Sequence, residues 1–203
     1  MLSNSKLGFG LMRLPKDKQG NIQIDEVQRM VDSFMGKGFN YFDTAYAYAG
    51  SEEAIKETLV KKYPRDSFTL VDKLPAWKLK SQDDVQRIFT ESLQLCGVDY
   101  FDFYLLHSIE KSHYPTYEKY QCFDFVKEMK KQGKIKYIGF SFHDDAQFLD
   151  KVLTEHPEMD FVQLQLNYSD WENGVIQSRQ NYEVARKHQK PIVVMEPVKG
   201  GTL

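Results

Sequence analysis

Seven short, β-rich apolar runs punctuate this chain: Leu7–Leu11, Tyr41–Thr44, Phe68–Leu74, Tyr100–His107, Ile135–Ser141, Phe161–Asn167 and Ile192–Met195. The stretches between them are longer and helical in period. Val27, Met30, Val31 and Phe34 share one face of Asp25–Gly36. Ile88, Phe89, Ser92 and Leu95 share one face of Val85–Leu95, and Phe125, Val126 and Met129 form a stripe in Tyr117–Lys131. Ser81 stands ahead of Asp83 and Asp84 as an N-cap would. Gly97 and Gly133 follow the second and third of these helices, where a left-handed residue is wanted. Strands that alternate with helices pair in parallel through crossovers. The runs are nearly continuous in apolar residues, as parallel strands buried on both faces require.

Such a chain is α/β, and a barrel or a doubly wound sheet would satisfy it. The doubly wound dinucleotide fold needs Gly-x-Gly-x-x-Gly after its first strand. Here Gly8-Phe-Gly10 runs into Leu-Met-Arg. The expected fold is therefore a TIM-type (β/α)8 barrel. It is expected to be incomplete, with about seven parallel strands and the eighth missing, because such a barrel takes roughly 250 residues and this chain has 203. Residues 1–203 read as one domain, truncated at the C-terminus. Only Met1–Lys6 precede the first strand, too few for a β-hairpin ahead of it. Open sheet edges would expose unpaired backbone, which predicts self-association.

Composition excludes more than it identifies. A formal charge of −2 offers nothing to nucleic acid or an anionic membrane. No apolar run reaches bilayer-spanning length, and MLSNSKLGFG lacks the layout of a secretory signal. The lysine-rich Lys127–Lys136 is a solvated helix C-terminus running into a strand. Cys96 and Cys122 are not at metal-ligand spacing and read as reduced packing residues. A cytoplasmic location fits these features.

Barrel enzymes place their chemistry at the C-terminal ends of the strands. Asp43, Lys73 and His107 fall at such ends, in Phe42-Asp43-Thr44, Asp72-Lys73-Leu74 and Leu106-His107-Ser108, and Tyr48 lies in the loop behind Asp43. Taken singly each has a plain reading: a helix cap, a solvated lysine, a structural histidine, a loop tyrosine. Polar groups closing successive apolar strands are costly to desolvate unless paired, and that favours a site.

The segment Gly38-Phe-Asn-Tyr-Phe-Asp43-Thr-Ala-Tyr-Ala-Tyr48-Ala-Gly-Ser-Glu52 resembles the aldo-keto reductase signature. Lys73 and His107 fall where that family keeps its Lys and His. Gly133-Lys-Ile-Lys-Tyr-Ile-Gly-Phe-Ser141 and Phe161-Val-Gln163-Leu-Gln-Leu-Asn167 resemble its fifth and sixth strand motifs. The resemblance runs from about Leu7 to Leu203. It implies NAD(P)H-dependent reduction of an aldehyde or ketone, with Tyr48 as general acid, Lys73 as its electrostatic partner, Asp43 as the lysine's anchor and His107 as orienter of the carbonyl. The chemistry is coherent: the carbonyl needs a hydride and a proton, an ammonium favours phenolate over phenol, and a neutral imidazole can hold the carbonyl oxygen.

By the same resemblance the cofactor, NADPH by family habit with NADH as the alternative, would touch Gly10, Leu11, Met12, Asp43, Ser141, Phe142, Gln163, Met195 and Pro197. Phe142 replaces the usual Asn, so that one carboxamide hydrogen bond is either missing or supplied by His143. Met195 stands where an aromatic residue commonly stacks on the nicotinamide, and a thioether can pack there. Met195-Glu-Pro-Val-Lys-Gly-Gly201 resembles a bacterial branch of the family. Some members of that branch carry a C-terminal iron–sulfur domain, but this chain has no such cysteine cluster. Trp77, Tyr114 and Trp171 are candidates to line a carbonyl pocket. Two other readings compete: a non-catalytic nucleotide-binding barrel subunit, and an inactive fragment of a longer reductase. A metal-dependent barrel hydrolase is disfavoured, because His107, His113, His143, His156 and His188 lack ligand spacing, and no metal is expected.

Overall fold

A computed structural model describes residues 6–203. The expectation built on Met1–Lys6 therefore lies outside the described residues, Lys6 excepted. All seven apolar runs form strands: β1 (Gly8–Gly10), β2 (Tyr41–Asp43), β3 (Thr69–Pro75), β4 (Phe101–Ile109), β5 (Ile135–Phe142), β6 (Phe161–Gln165) and β7 (Ile192–Met195). They make one parallel sheet in the order β1 to β7. The sheet curls as an incomplete (β/α)8 barrel, and among the described residues β1 and β7 do not pair with each other.

The helices are α1 (Ile24–Gly36), α2 (Ser51–Ile55), α3 (Asp83–Cys96), α4 (Tyr114–Lys119), α5 (Cys122–Lys131), α6 (Ala146–Glu155) and α7 (Ser178–Lys187). Their apolar stripes pack on the outer side of the sheet: Val27, Val31 and Phe34 from α1, Val85, Ile88, Phe89 and Cys96 from α3. Met30, read as part of the first stripe, is exposed. Gly97 closes α3 at φ 72°, and Gly133 follows α5 at φ 71°. No helix of the described residues is long and apolar enough to cross a membrane.

Two local expectations need correction. Tyr117–Lys131 is not one helix: the chain breaks at Gln121, whose φ is +47°. Tyr117 of α4 packs on the outer side of the sheet, where its hydroxyl donates towards His107 O at 2.6 Å and Leu74 O at 2.8 Å. Ser81 does not cap α3 either, because the cap position falls on Gln82. Instead the Asp84 carboxylate reaches back to accept from the Lys80 and Ser81 backbone N–H groups at 2.8 and 2.9 Å.

The period-2 rule sorts every strand into an outer and an inner set. The inner set forms a small plug of Val71, Phe103, Leu105 and Phe161, with Tyr41, Tyr137 and Val193 packed against it. Gly139 belongs to this face. A Cβ there would stand 2.5 Å from Phe161 O and 2.6 Å from the Phe161 ring, so only glycine lets β6 lie this close. Above the plug the same faces of the strands turn polar.

Candidate active site

One residue pair or more beyond the plug, the inward positions are Asp43, Lys73, His107, Ser141, Gln163 and Met195. β5 and β6 set Ser141 and Gln163 side by side in register. The Lys73 side chain is 1% exposed and that of Asp43 16%. Lys73 Nζ donates to Asp43 Oδ1 and, at 2.7 Å, to the Thr44 carbonyl. The other Asp43 oxygen accepts from Gln163 Nε2 at 2.9 Å. Asp43 is thus held between β3 and β6, across the inside of the sheet.

Tyr48 leans over this pair. Lys73 Nζ lies 5.0 Å from the centre of its ring, and the His107 ring meets it edge-on with centroids 5.6 Å apart. Four residues from three strands and one loop therefore converge. Burial lowers the Lys73 pKa, but the charges of Asp43 and Tyr48 outweigh it, so the ammonium is held above its ordinary range. Burial raises the Tyr48 phenol, and the Lys73 charge opposes that without overcoming it. Tyr48 therefore keeps its proton at neutral pH. Burial, then the Lys73 charge, brings His107 down to about 2, so its imidazole is neutral. Its Nδ1 is buried without a hydrogen-bond partner.

The other expected residues divide. Ser141 is buried, and its Oγ accepts from Ser108 N at 2.7 Å. Ser108 takes φ +56° to make that contact. Gly10 ends β1 where an added Cβ would meet nothing within 4 Å, which leaves open space beside Asp43, its register partner. Leu11 is buried in the outer core, whereas Met12 is 56% exposed. Met195 closes β7 and Pro197 lies in the exposed turn behind it. The Phe142 side chain points the other way. The alternation that turns Ser141 inward turns the Phe142 ring outward, against Phe140 and Phe148 at 6.2 and 6.0 Å. Its side chain cannot reach the cleft.

Of the pocket aromatics, Trp77 stands at the rim, its ring 5.1 Å from His107 and 5.1 Å from His113. Tyr114 is buried in the helix layer and donates to Glu155 at 2.6 Å, and Trp171 packs on Tyr182. Neither meets Tyr48 or His107. The sequence reading overlooked a bridge between the loops after β1 and β7, where Arg13 pairs with Glu196 at 3.1 Å. It also overlooked the neighbouring Asp170, which accepts from Asn167 at 2.7 Å and Lys199 at 2.8 Å. The Arg13–Glu196 and Asp170–Lys199 pairs join residues far apart in the sequence.

Fold and site together define a (β/α)-barrel protein with a buried Asp–Lys pair beneath a tyrosine and a neutral histidine. The chain belongs to the aldo/keto reductase family, whose model matches residues 6–203. The aldo-keto reductase str7 of Strobilurus tenacellus is 27% identical over 208 residues, covering 98% of this chain and 60% of that protein. The fold matches the aldo-keto reductase AKR11C1 from Bacillus halodurans, holo form, with a TM-score of 0.72 at 23% identity, covering 98% of this chain and 64% of that one. It also matches an aldo-keto reductase from Klebsiella pneumoniae in complex with NADPH, with a TM-score of 0.65 at 22% identity, covering 92% and 62%. The chain spans about half to three-fifths of the length of the curated relatives it matches.

Proposed function

We propose that this protein is an oxidoreductase that reduces an aldehyde or ketone to its alcohol with a nicotinamide cofactor, NADPH by preference. The observation that carries this reading is the buried Lys73–Asp43 pair set beneath Tyr48 and beside a neutral His107. The inward polar row fits a nicotinamide: Ser141 and Gln163 sit side by side as hydrogen-bonding groups, Met195 offers a soft apolar surface, and Gly10 leaves free space. Gly10, Leu11, Met12 and Pro197 would edge the cofactor, with Phe142 contributing backbone alone. The bound cofactor would supply the hydride. Family membership and the NADPH complex of the Klebsiella relative support the choice of cofactor.

The chain's own residues would do the rest. His107, neutral, donates to the carbonyl oxygen and fixes its orientation. Tyr48 gives that oxygen its proton as hydride arrives. Lys73 stabilises the phenolate left behind, and Asp43 keeps Lys73 charged and in place. Trp77, at the rim over His107, forms an apolar wall for the substrate. We read residues 1–203 as one barrel domain acting on small molecules in the cytoplasm. The free edges of β1 and β7 would support self-association.

Titrating the chain with NADPH and NADH, followed by nicotinamide fluorescence, tests the reading. Saturable binding that weakens in Gln163→Ala supports it. No binding near millimolar cofactor would refute it for this chain.

A further inference from the structure

Directly behind Lys73, on the outer side of the sheet, lies a polar cluster that carbonyl reduction does not use. Strand alternation turns Lys73 inward and Asp72 outward. Asp72 is fully buried, and its register partner on β4 is Tyr104, equally buried. Register partners on one face are neighbours. From α3, Ser92 and Cys96 stand one turn apart on its buried face. From α2 comes Glu52, 3% exposed. Five polar side chains from four elements thus meet in a layer otherwise filled by Leu, Val, Ile and Phe.

The geometry is tight. The ligand atoms of Glu52, Asp72 and Cys96 all lie within 4.8 Å of one another. Lys73 N donates to Asp72 Oδ1 at 2.6 Å, and Cys96 Sγ lies 3.7 Å from Asp72 Oδ2. Glu52 hydrogen-bonds to Ser92 and Asp72 inside the cluster, while among the described residues the Tyr104 hydroxyl is buried without any partner. Buried polar groups in folded proteins are almost always satisfied. Burial, then the neighbouring Glu52, holds the Asp72 carboxyl well above its ordinary range, and burial raises both Glu52 and the Cys96 thiol.

We infer that Glu52, Asp72 and Cys96 supply three ligands to a buried site for one zinc-like divalent cation, with the Ser92 and Tyr104 hydroxyls beside it. One thiolate and two carboxylates suit a borderline-soft ion, whereas magnesium and calcium avoid sulfur. On binding, any proton held by these groups leaves to solvent as the cation takes its place. One thiolate and two carboxylates more than balance its two positive charges. The separation of Glu52, Asp72 and Cys96 along the chain matches no short ligand motif, so only the fold discloses the set. The ion would tie α2, which begins just after the Tyr48 loop, to the strand position next to Lys73.

The site stands independently of the reductase reading, and its test needs no turnover. The full chain, stripped with a chelator, is titrated with Co2+ while the near-ultraviolet thiolate-to-cobalt band is recorded. Zn2+ is then added and thermal unfolding is followed. The expected result is a band that saturates at one equivalent, is displaced by Zn2+, survives Cys122→Ser and is lost in Cys96→Ser. Zn2+ should also raise the melting temperature of the wild-type chain, and Glu52→Gln should weaken Co2+ binding at least tenfold. Absence of a stoichiometric band in the wild-type chain overturns the proposal. So does a band that disappears in Cys122→Ser. These two readouts decide the matter even if Cys96→Ser fails to fold.

Discussion

Asp43→Asn strips Lys73 of its counter-charge while keeping the shape of the site. The ammonium is then left 1% exposed, with the Thr44 carbonyl as its remaining close acceptor among the described residues. Removing one partner of a buried ion pair costs about 3–5 kcal/mol. For a chain of this size each kcal/mol moves the melting temperature by about 2–4 °C, so Asn at this position should lower it by roughly 6–20 °C. Lys73→Met leaves Asp43 with Gln163 as a donor and should cost less. The double variant Asp43→Asn/Lys73→Met removes both charges and should be more stable than the sum of the single losses by about 2 kcal/mol. Urea unfolding of the four proteins measures this directly. An Asp43→Asn variant within 1 kcal/mol of wild type, or strict additivity in the double variant, would refute the claim that the pair is buried and mutually compensating.

Further predictions concern pH and packing. His107 has a folded pKa of about 2, below its unfolded value near 6.5. Between those values the unfolded chain binds the proton and the folded chain does not. Stability is therefore lost as pH falls below 6.5, by up to about 1.4 kcal/mol per pH unit from this group, less where water reaches the ring. His107→Gln should flatten the unfolding free energy between pH 6.5 and 4.5, and an unchanged slope would contradict the assignment. Gly139→Ala should destabilise by at least about 1–3 kcal/mol, because its methyl would collide with the Phe161 carbonyl and ring. A variant with wild-type denaturant resistance would mean that β5 and β6 are less closely packed there.

The strands were legible because burial on both faces leaves an uninterrupted apolar signature, and all seven runs pair in sequence order. The polar strand ends were legible for the converse reason, since a charge closing an apolar run stands out. The helix break at Gln121 was not legible, because glutamine carries no sign of the left-handed backbone it adopts. The cap of α3 was misread because two candidate oxygens lie three residues apart, and Asp84 satisfies the backbone that Ser81 was expected to serve. The direction of the Phe142 ring was legible for another reason. Strict alternation from Ser141 already placed its ring outward, and the resemblance overrode that local rule. The same alternation separates Asp72 from Lys73. What it could not reveal is that Glu52 and Cys96 meet Asp72 on the far side of the sheet.

The most direct test of the central claim is carbonyl-dependent oxidation of NADPH by this chain, compared with Tyr48→Phe. Phenylalanine keeps the ring over Lys73 and beside His107 but removes the proton to be given. The account predicts carbonyl-dependent loss of NADPH absorbance that falls by at least about 100-fold in the variant, with cofactor binding unchanged. Equal rates in the two proteins would contradict Tyr48 as the acid. No carbonyl-dependent oxidation by a chain that binds NADPH would contradict the reductase reading itself.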